Sequence, residues 1–187
     1  MIRKYIAIMA LGIICPALTF GQISGTQTVP GSYPTLEAAI TALNTVGVGA
    51  GGATINVAAG YTETPAASLI LTITTNPPTA ANPLTIQKSG IGANPLITAH
   101  TTGTSTTLDG LFILNGVDYV TINGIDLQEN AANVTTTTQM EFGYALLKTA
   151  AANGAQYNTI KNATVTLNKS NVASVGIYIG NHTTAST

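Results

Sequence analysis

Past its first twenty residues the chain repeatedly alternates single apolar residues with Thr, Asn and other polar side chains, and one stretch carries helical spacing instead. From Thr35 to Val46 the apolar residues Leu36, Ala39, Ile40, Leu43 and Val46 fall at helical spacing. That spacing predicts one amphipathic helix, opened by Pro34 and Thr35, with Glu37 as a solvated charge in the first turn, and closed by Gly47.

After a Gly-rich link, Gly47 to Gly52, a three-residue motif recurs: Thr54-Ile55-Asn56, Thr72-Ile73-Thr74, Thr85-Ile86-Gln87, Thr121-Ile122-Asn123 and Thr159-Ile160-Lys161. In an extended strand the Ile points to one face and its polar neighbours to the other. Two longer units match best, Tyr119 to Leu127 and Tyr157 to Leu167. Each has a Tyr, a Thr-Ile pair, a turn with Asn123 or Asn162, and a second alternating strand. Short strands divided by Gly, Asn and Asp turns suggest a solenoid or a sandwich, and a helix ahead of the first strand favours the solenoid, whose open end needs a cap. The expected fold is all-β, a right-handed parallel β-helix with an N-terminal amphipathic capping helix.

The segment Tyr33-Pro34-Thr35-Leu36-Glu37-Ala38-Ala39-Ile40, followed by Ala53 to Val57 and Gly60-Tyr61-Thr62-Glu63, resembles the N-terminal cap and first coil of the pectin-lyase-like β-helix superfamily. Leu84 to Gly90, Phe112 to Asn130 and Tyr157 to Asn171 resemble its coils, and Gly176 to Asn181 resembles the start of another. The Gly-Tyr-Thr-Glu turn is one residue shorter than the family's pattern, which speaks against a pectinesterase. The resemblance implies a fold more than an activity, because lyases, esterases, hydrolases and non-catalytic adhesins share it. It also implies a bacterial surface protein. Since the chain stops at Thr187 just after a strand, residues 22–187 are expected to be the N-terminal part of a longer β-helix domain.

Arg3 and Lys4 precede an apolar run from Tyr5 to Phe20, the pattern of a secretory signal peptide over residues 1–21 with cleavage after Gly21. The run is shorter than the roughly 20 residues a membrane span requires, and no later segment approaches that length. The expected location is therefore secreted or at the cell surface. Removing the leader removes Cys15, so no disulfide contributes. It also leaves four lysines against seven acidic residues, a net charge of −3, which disfavours nucleic acid as a partner. Charged residues are 7% of the chain, far below the ~25% usual in globular proteins.

This scarcity limits the available chemistry. Uronate-acting enzymes of the superfamily commonly use Arg, and the only Arg is Arg3, in the leader. Glycoside hydrolysis needs two convergent carboxylates, for which Asp109, Asp118, Asp126 and Glu129 are the candidates. Asp109 and Asp118 read as turn residues bonding their own backbone. Asp126, between inward Ile125 and Leu127, and Glu129 lie on the outward side where the superfamily binds glycans, and are the candidate carbohydrate-binding residues. They could also hold Ca²⁺, but no third or fourth ligand is evident, and neither a metal nor another cofactor is called for. His100 and His182 read as surface histidines without a triad partner in sequence. Tyr61, Tyr119, Tyr144, Tyr157 and Tyr178 would stack on sugars if they lined one face, although packing over turns is the commoner role. The sequons at Asn133, Asn162, Asn168 and Asn181 carry little weight in an Asn- and Thr-rich chain.

The functional expectation is a structural or adhesin-like surface module whose partner is extracellular or cell-wall polysaccharide. The alternative is the front of a polysaccharide lyase or hydrolase with its catalytic residues beyond Thr187. An ice-binding plane built on the Thr-Ile-x triplets is disfavoured by their unequal spacing. Pairing of two chains through an exposed solenoid end is a further expectation, as an artefact of a shortened chain.

Overall fold

A computed structural model describes residues 21–101 and 109–180. The leader expectation, His182 and the Asn181 sequon thus fall wholly or almost wholly outside the described residues. Strand β1 (Ile23–Val29) leads into helix α1 (Leu36–Val46), and four coils of three strands follow. The first coil is β2 (Val48–Ala58), β3 (Thr62–Glu63) and β4 (Leu69–Leu71). The second is β5 (Leu84–Ser89), β6 (Leu96–Thr98) and β7 (Gly110–Asn115). The third is β8 (Val120–Asn123), β9 (Asp126–Gln128) and β10 (Phe142–Leu147), and the fourth is β11 (Thr159–Lys161), β12 (Val165–Thr166) and β13 (Val175–Ile179).

Each coil contributes one strand to each of three sheets, in the orders β1-β2-β5-β8-β11, β3-β6-β9-β12 and β4-β7-β10-β13. All named strand pairs among the described residues are parallel. The protein is a parallel β-solenoid of about 5 turns, the first of which uses α1 in place of two strands.

Four of the five Ile triplets stack as the alternation predicts. Ile55, Ile86, Ile122 and Ile160 are successive rungs of the first sheet, and the first three are fully buried. The Thr72 triplet is the exception, because it lies just beyond β4, where Thr72 N–H donates to Asn44 Oδ1 at 2.9 Å instead of to a strand. The units beginning at Tyr119 and Tyr157 are consecutive coils in register, and both tyrosines take positive φ (54°).

The third sheet departs from simple alternation. Its run Leu111-Phe112-Ile113-Leu114 is buried on both sides: Leu111, Phe112 and Leu114 enter the central core, while Ile113 joins Phe142, Ala145 and Leu147 in a second apolar cluster. A strand covered on both faces reads as a continuous apolar run.

Helix α1 closes one end. Thr35 is its N-cap, accepting Ala38 N–H at 3.0 Å, and Gly47, at φ 73°, ends it by donating to Leu43 O at 2.9 Å. An added Cβ on Gly47 would meet backbone oxygens of Thr75 and Asn76, so only glycine fits. Leu36, Ala39, Ile40 and Leu43 face the core. Asn44 binds the edge of β4 on both sides of one rung, its Nδ2 donating to Ile70 O at 2.7 Å while its Oδ1 accepts Thr72 N–H. An edge that would otherwise expose backbone groups is thereby covered.

Candidate functional site: the outer faces of the coils

Two side-chain columns run along the outer face of the first sheet. One is Thr26, Thr54, Thr85, Thr121 and Thr159; the other is Thr28, Asn56, Gln87, Asn123 and Lys161. Parallel pairing spaces the rungs by ~4.8 Å. The second column is partly knitted together: Gln87 Nε2 donates to Asn56 Oδ1 at 3.0 Å, and Asn162 Nδ2 to Asn123 Oδ1 at 2.8 Å. Unequal spacing of the triplets in sequence therefore does not disturb the columns, because the extra residues lie in the turns. The face is periodic and carries one charge, that of Lys161.

The carboxylates accept hydrogen bonds from groups of the protein itself. Asp126 Oδ1 accepts Asn94 Nδ2 and Thr164 N–H, each at 2.8 Å, joining three coils. Glu129 accepts Asn130 N–H and Asn133 Nδ2 on Oε1, at 2.9 and 2.7 Å, and Met140 N–H on Oε2 at 2.7 Å. Asp118, expected to bond its own turn, instead accepts Gln156 N–H of the following coil at 2.6 Å. Glu141 accepts Asp109 N–H at 2.9 Å, and Glu37, expected to be solvated, accepts Ala66 N–H at 3.3 Å. Such charge-assisted bonds to N–H groups are among the stronger hydrogen bonds available. Apart from Glu129, whose bonds stay within the third coil, these acidic residues act as stitches between neighbouring coils or between the cap helix and the first coil. No group of three or more His, Cys, Asp or Glu suited to a metal occurs among the described residues.

Glu63 illustrates the pattern most fully. Its Oε2 accepts Leu36 N–H at 2.7 Å and the Tyr61 hydroxyl at 2.9 Å, and its Oε1 accepts Glu37 N–H at 3.0 Å. A carboxylate on the first turn satisfies free amides and complements the helix dipole. Burial, followed by the bond to Glu63 and its charge, pushes the Tyr61 phenol up to about 12. The sequence marked Glu63 only as part of the Gly-Tyr-Thr-Glu turn; its contact with the helix was hidden because those partners are backbone groups distant in the chain.

The tyrosines do not form one stacking face. Tyr144 is fully buried and donates to Ile125 O at 2.7 Å; burial first, and then the charge of Asp126, raises its pKa. Tyr119 and Tyr157 stack on each other at 4.8 Å, and Tyr178 stacks on Phe142 at 4.2 Å.

His100, expected on the surface, is 9% exposed, and its Nε2 lies 3.3 Å from Ser68 Oγ. The two residues are on adjoining coils, a relation invisible in sequence. An imidazole beside a hydroxyl is one part of a nucleophilic centre; acyl transfer also requires oxyanion donors and a substrate cleft. Two grooves among the described residues lie away from this pair, one along α1 beside Tyr33 and Glu37 and one at the fourth coil. The sequon residue Asn133 is 3% exposed, and its Nδ2 donates to His100 O as well as to Glu129.

No family model, curated protein or solved structure matches the chain. Among the described residues no helix is long and apolar enough to cross a membrane.

Proposed function

We propose that this chain is a secreted or cell-surface β-helix module of adhesin-like type, akin to the pectin-lyase-like superfamily, that displays a polysaccharide-binding face on a rigid rod. The observation that supports this reading best is the pair of columns on the first sheet, with five threonines in one and chiefly amides in the other. Hydroxyls and amides repeated at a fixed interval suit a neutral, extended polymer that itself repeats hydroxyl groups. Asp126, on the neighbouring sheet, and Glu129, just beyond its strand, add acidic contacts to this reading, and both also bond protein donors. The use of carboxylates as stitches also favours a scaffold over a hydrolase, whose acids must converge on a scissile bond.

The experiment is co-sedimentation of the chain with insoluble neutral polysaccharides, alongside Thr121→Lys at the third coil. Thr121 is half-buried and on the outward column, so the variant should keep its fold and lose binding. Retention of no polysaccharide by the parent chain would sink the carbohydrate reading, and thermal hysteresis in its place would shift the face's ligand to ordered water.

A further inference from the structure

Asparagine is followed by glycine three times in the chain, as Asn115-Gly116, Asn123-Gly124 and Asn153-Gly154. Such pairs are reactive, because glycine has no Cβ to keep its own nitrogen from reaching the preceding side-chain carbonyl. The fold restrains two of the three. Gly116 N–H donates to Leu147 O of the third coil and Gly124 N–H to Lys161 O of the fourth, each at 2.9 Å. Their asparagines are tied as well: Asn115 Nδ2 donates to Thr72 Oγ1 at 3.3 Å, and Asn123 Oδ1 accepts Asn162 Nδ2 at 2.8 Å. Both turns also need glycine, since Gly116 and Gly124 take φ of 63° and 71°. The third pair is not held at its glycine. It lies in the turn between β10 and β11, where Asn153 is exposed and Gly154 N–H makes no hydrogen bond among the described residues. Gly154 does not adopt a positive φ, and an added Cβ would meet nothing within 4 Å, so the fold makes no demand for glycine there.

We propose that Asn153 is a site of spontaneous deamidation, an ageing mark set in the turn that joins the third and fourth coils. The Gly154 nitrogen attacks Asn153 Cγ and gives up its proton. The new C–N bond closes a cyclic imide as the Cγ–Nδ2 bond breaks, and the side-chain nitrogen takes up a proton and leaves as ammonia. Water then adds to either carbonyl of the imide and cleaves its bond to the Gly154 nitrogen, giving isoaspartate or aspartate. No oxidation or reduction occurs, and water is the co-reactant. The product carries a carboxylate in place of a neutral amide and loses the donor that Asn153 Nδ2 offers Thr149 Oγ1 at 2.7 Å. In isoaspartate the main chain gains a carbon between residues 153 and 154. The Asn153 C=O, which accepts Thr149 N–H at 2.9 Å, then belongs to a free carboxylate outside the main chain. The turn is remade while the core side chains on either side stay as they were.

The test is incubation of the full chain in buffer at neutral and mildly alkaline pH, with each Asn-Gly pair followed over time by tandem mass spectrometry of proteolytic peptides. Asn153 should convert at least about 10-fold faster than Asn115 or Asn123, whose reaction must wait for a coil-to-coil bond to open. The rate should rise with pH, because the attacking nitrogen sheds its proton. In denaturing urea the restraint is gone, and the three pairs should convert at similar rates. Gly154→Ala, which the fold accepts, should slow conversion at Asn153 severalfold. An Asn153 that keeps its amide while the unfolded chain loses it would overturn the proposal. So would a rate in the folded chain no higher than at the other two pairs, or one indifferent to Gly154→Ala.

Discussion

Glu63 stands in register with Ile97, at the rung continued by Leu127 and Val165, yet it turns a carboxylate toward the first turn of α1 and accepts Leu36 N–H at 2.7 Å. In the coil next to the cap, the interior position changes from hydrocarbon to anion because its neighbour is no longer a strand but a helix terminus with free N–H groups.

Glu63→Ala should therefore destabilise the protein by about 2–3 kcal/mol, since the Leu36 and Glu37 amides lose their acceptor in a partly buried site. Thermal unfolding should show a fall in Tm of about 4–10 °C. In the same variant the Tyr61 phenol, relieved of its acceptor and of the adjacent charge, should ionise nearer 10 by ultraviolet titration. An unchanged Tm would show that water replaces the carboxylate without loss.

Asn44→Ala removes both bonds to the edge of β4 and leaves Ile70 C=O and Thr72 N–H to find other partners. A loss of about 1–3 kcal/mol in denaturant unfolding is expected. Amide exchange should accelerate first at Thr72, and protection there equal to that of the parent chain would contradict the role given to Asn44.

Ile122→Ala and Ile160→Ala delete the same side chain at adjacent rungs. The former opens a cavity in a fully buried site and should cost about 2–5 kcal/mol; the latter, at a half-buried site in the fourth coil, should cost under about 1.5 kcal/mol. The comparison is made at low protein concentration in urea, and equal losses would mean that the fourth coil is covered in solution.

Stability should be level from neutral pH to about pH 10 and then decline. Tyr61 and Tyr144 both ionise at higher pH in the fold than in the unfolded chain, where a phenol titrates near 10. The protonated phenols thus contribute stability that is complete below the unfolded value and is lost as pH rises through the folded one, from 10 to about 12 for Tyr61. Tyr61→Phe should flatten the first part of that decline in urea midpoints measured against pH.

The coil architecture was legible because it rests on local alternation: Ile55, Ile86, Ile122 and Ile160 each have polar neighbours, and the period places them inward without reference to the rest of the chain. Thr72-Ile73-Thr74 carries the same local pattern and is not a rung, since what decides its fate is Asn44 on the helix. The roles of Asp118 and Glu63 were hidden for a related reason. Each binds a backbone amide, and every residue but proline has one, so no spacing or residue type identifies the partner. His100 and Ser68 meet through stacking of coils, which depends on turn lengths that alternation does not encode.

The location of α1 ahead of every coil has a kinetic meaning. During synthesis the helix and β1 emerge before the strands they support, and each later coil meets a surface that is already ordered. Contacts between neighbouring rungs span only the length of one coil, so the chain can order progressively, without waiting for a distant partner. A ribosome paused at a coil boundary would hold a shorter rod with a folded start and one adhesive tip, and the tip would move forward with each coil completed.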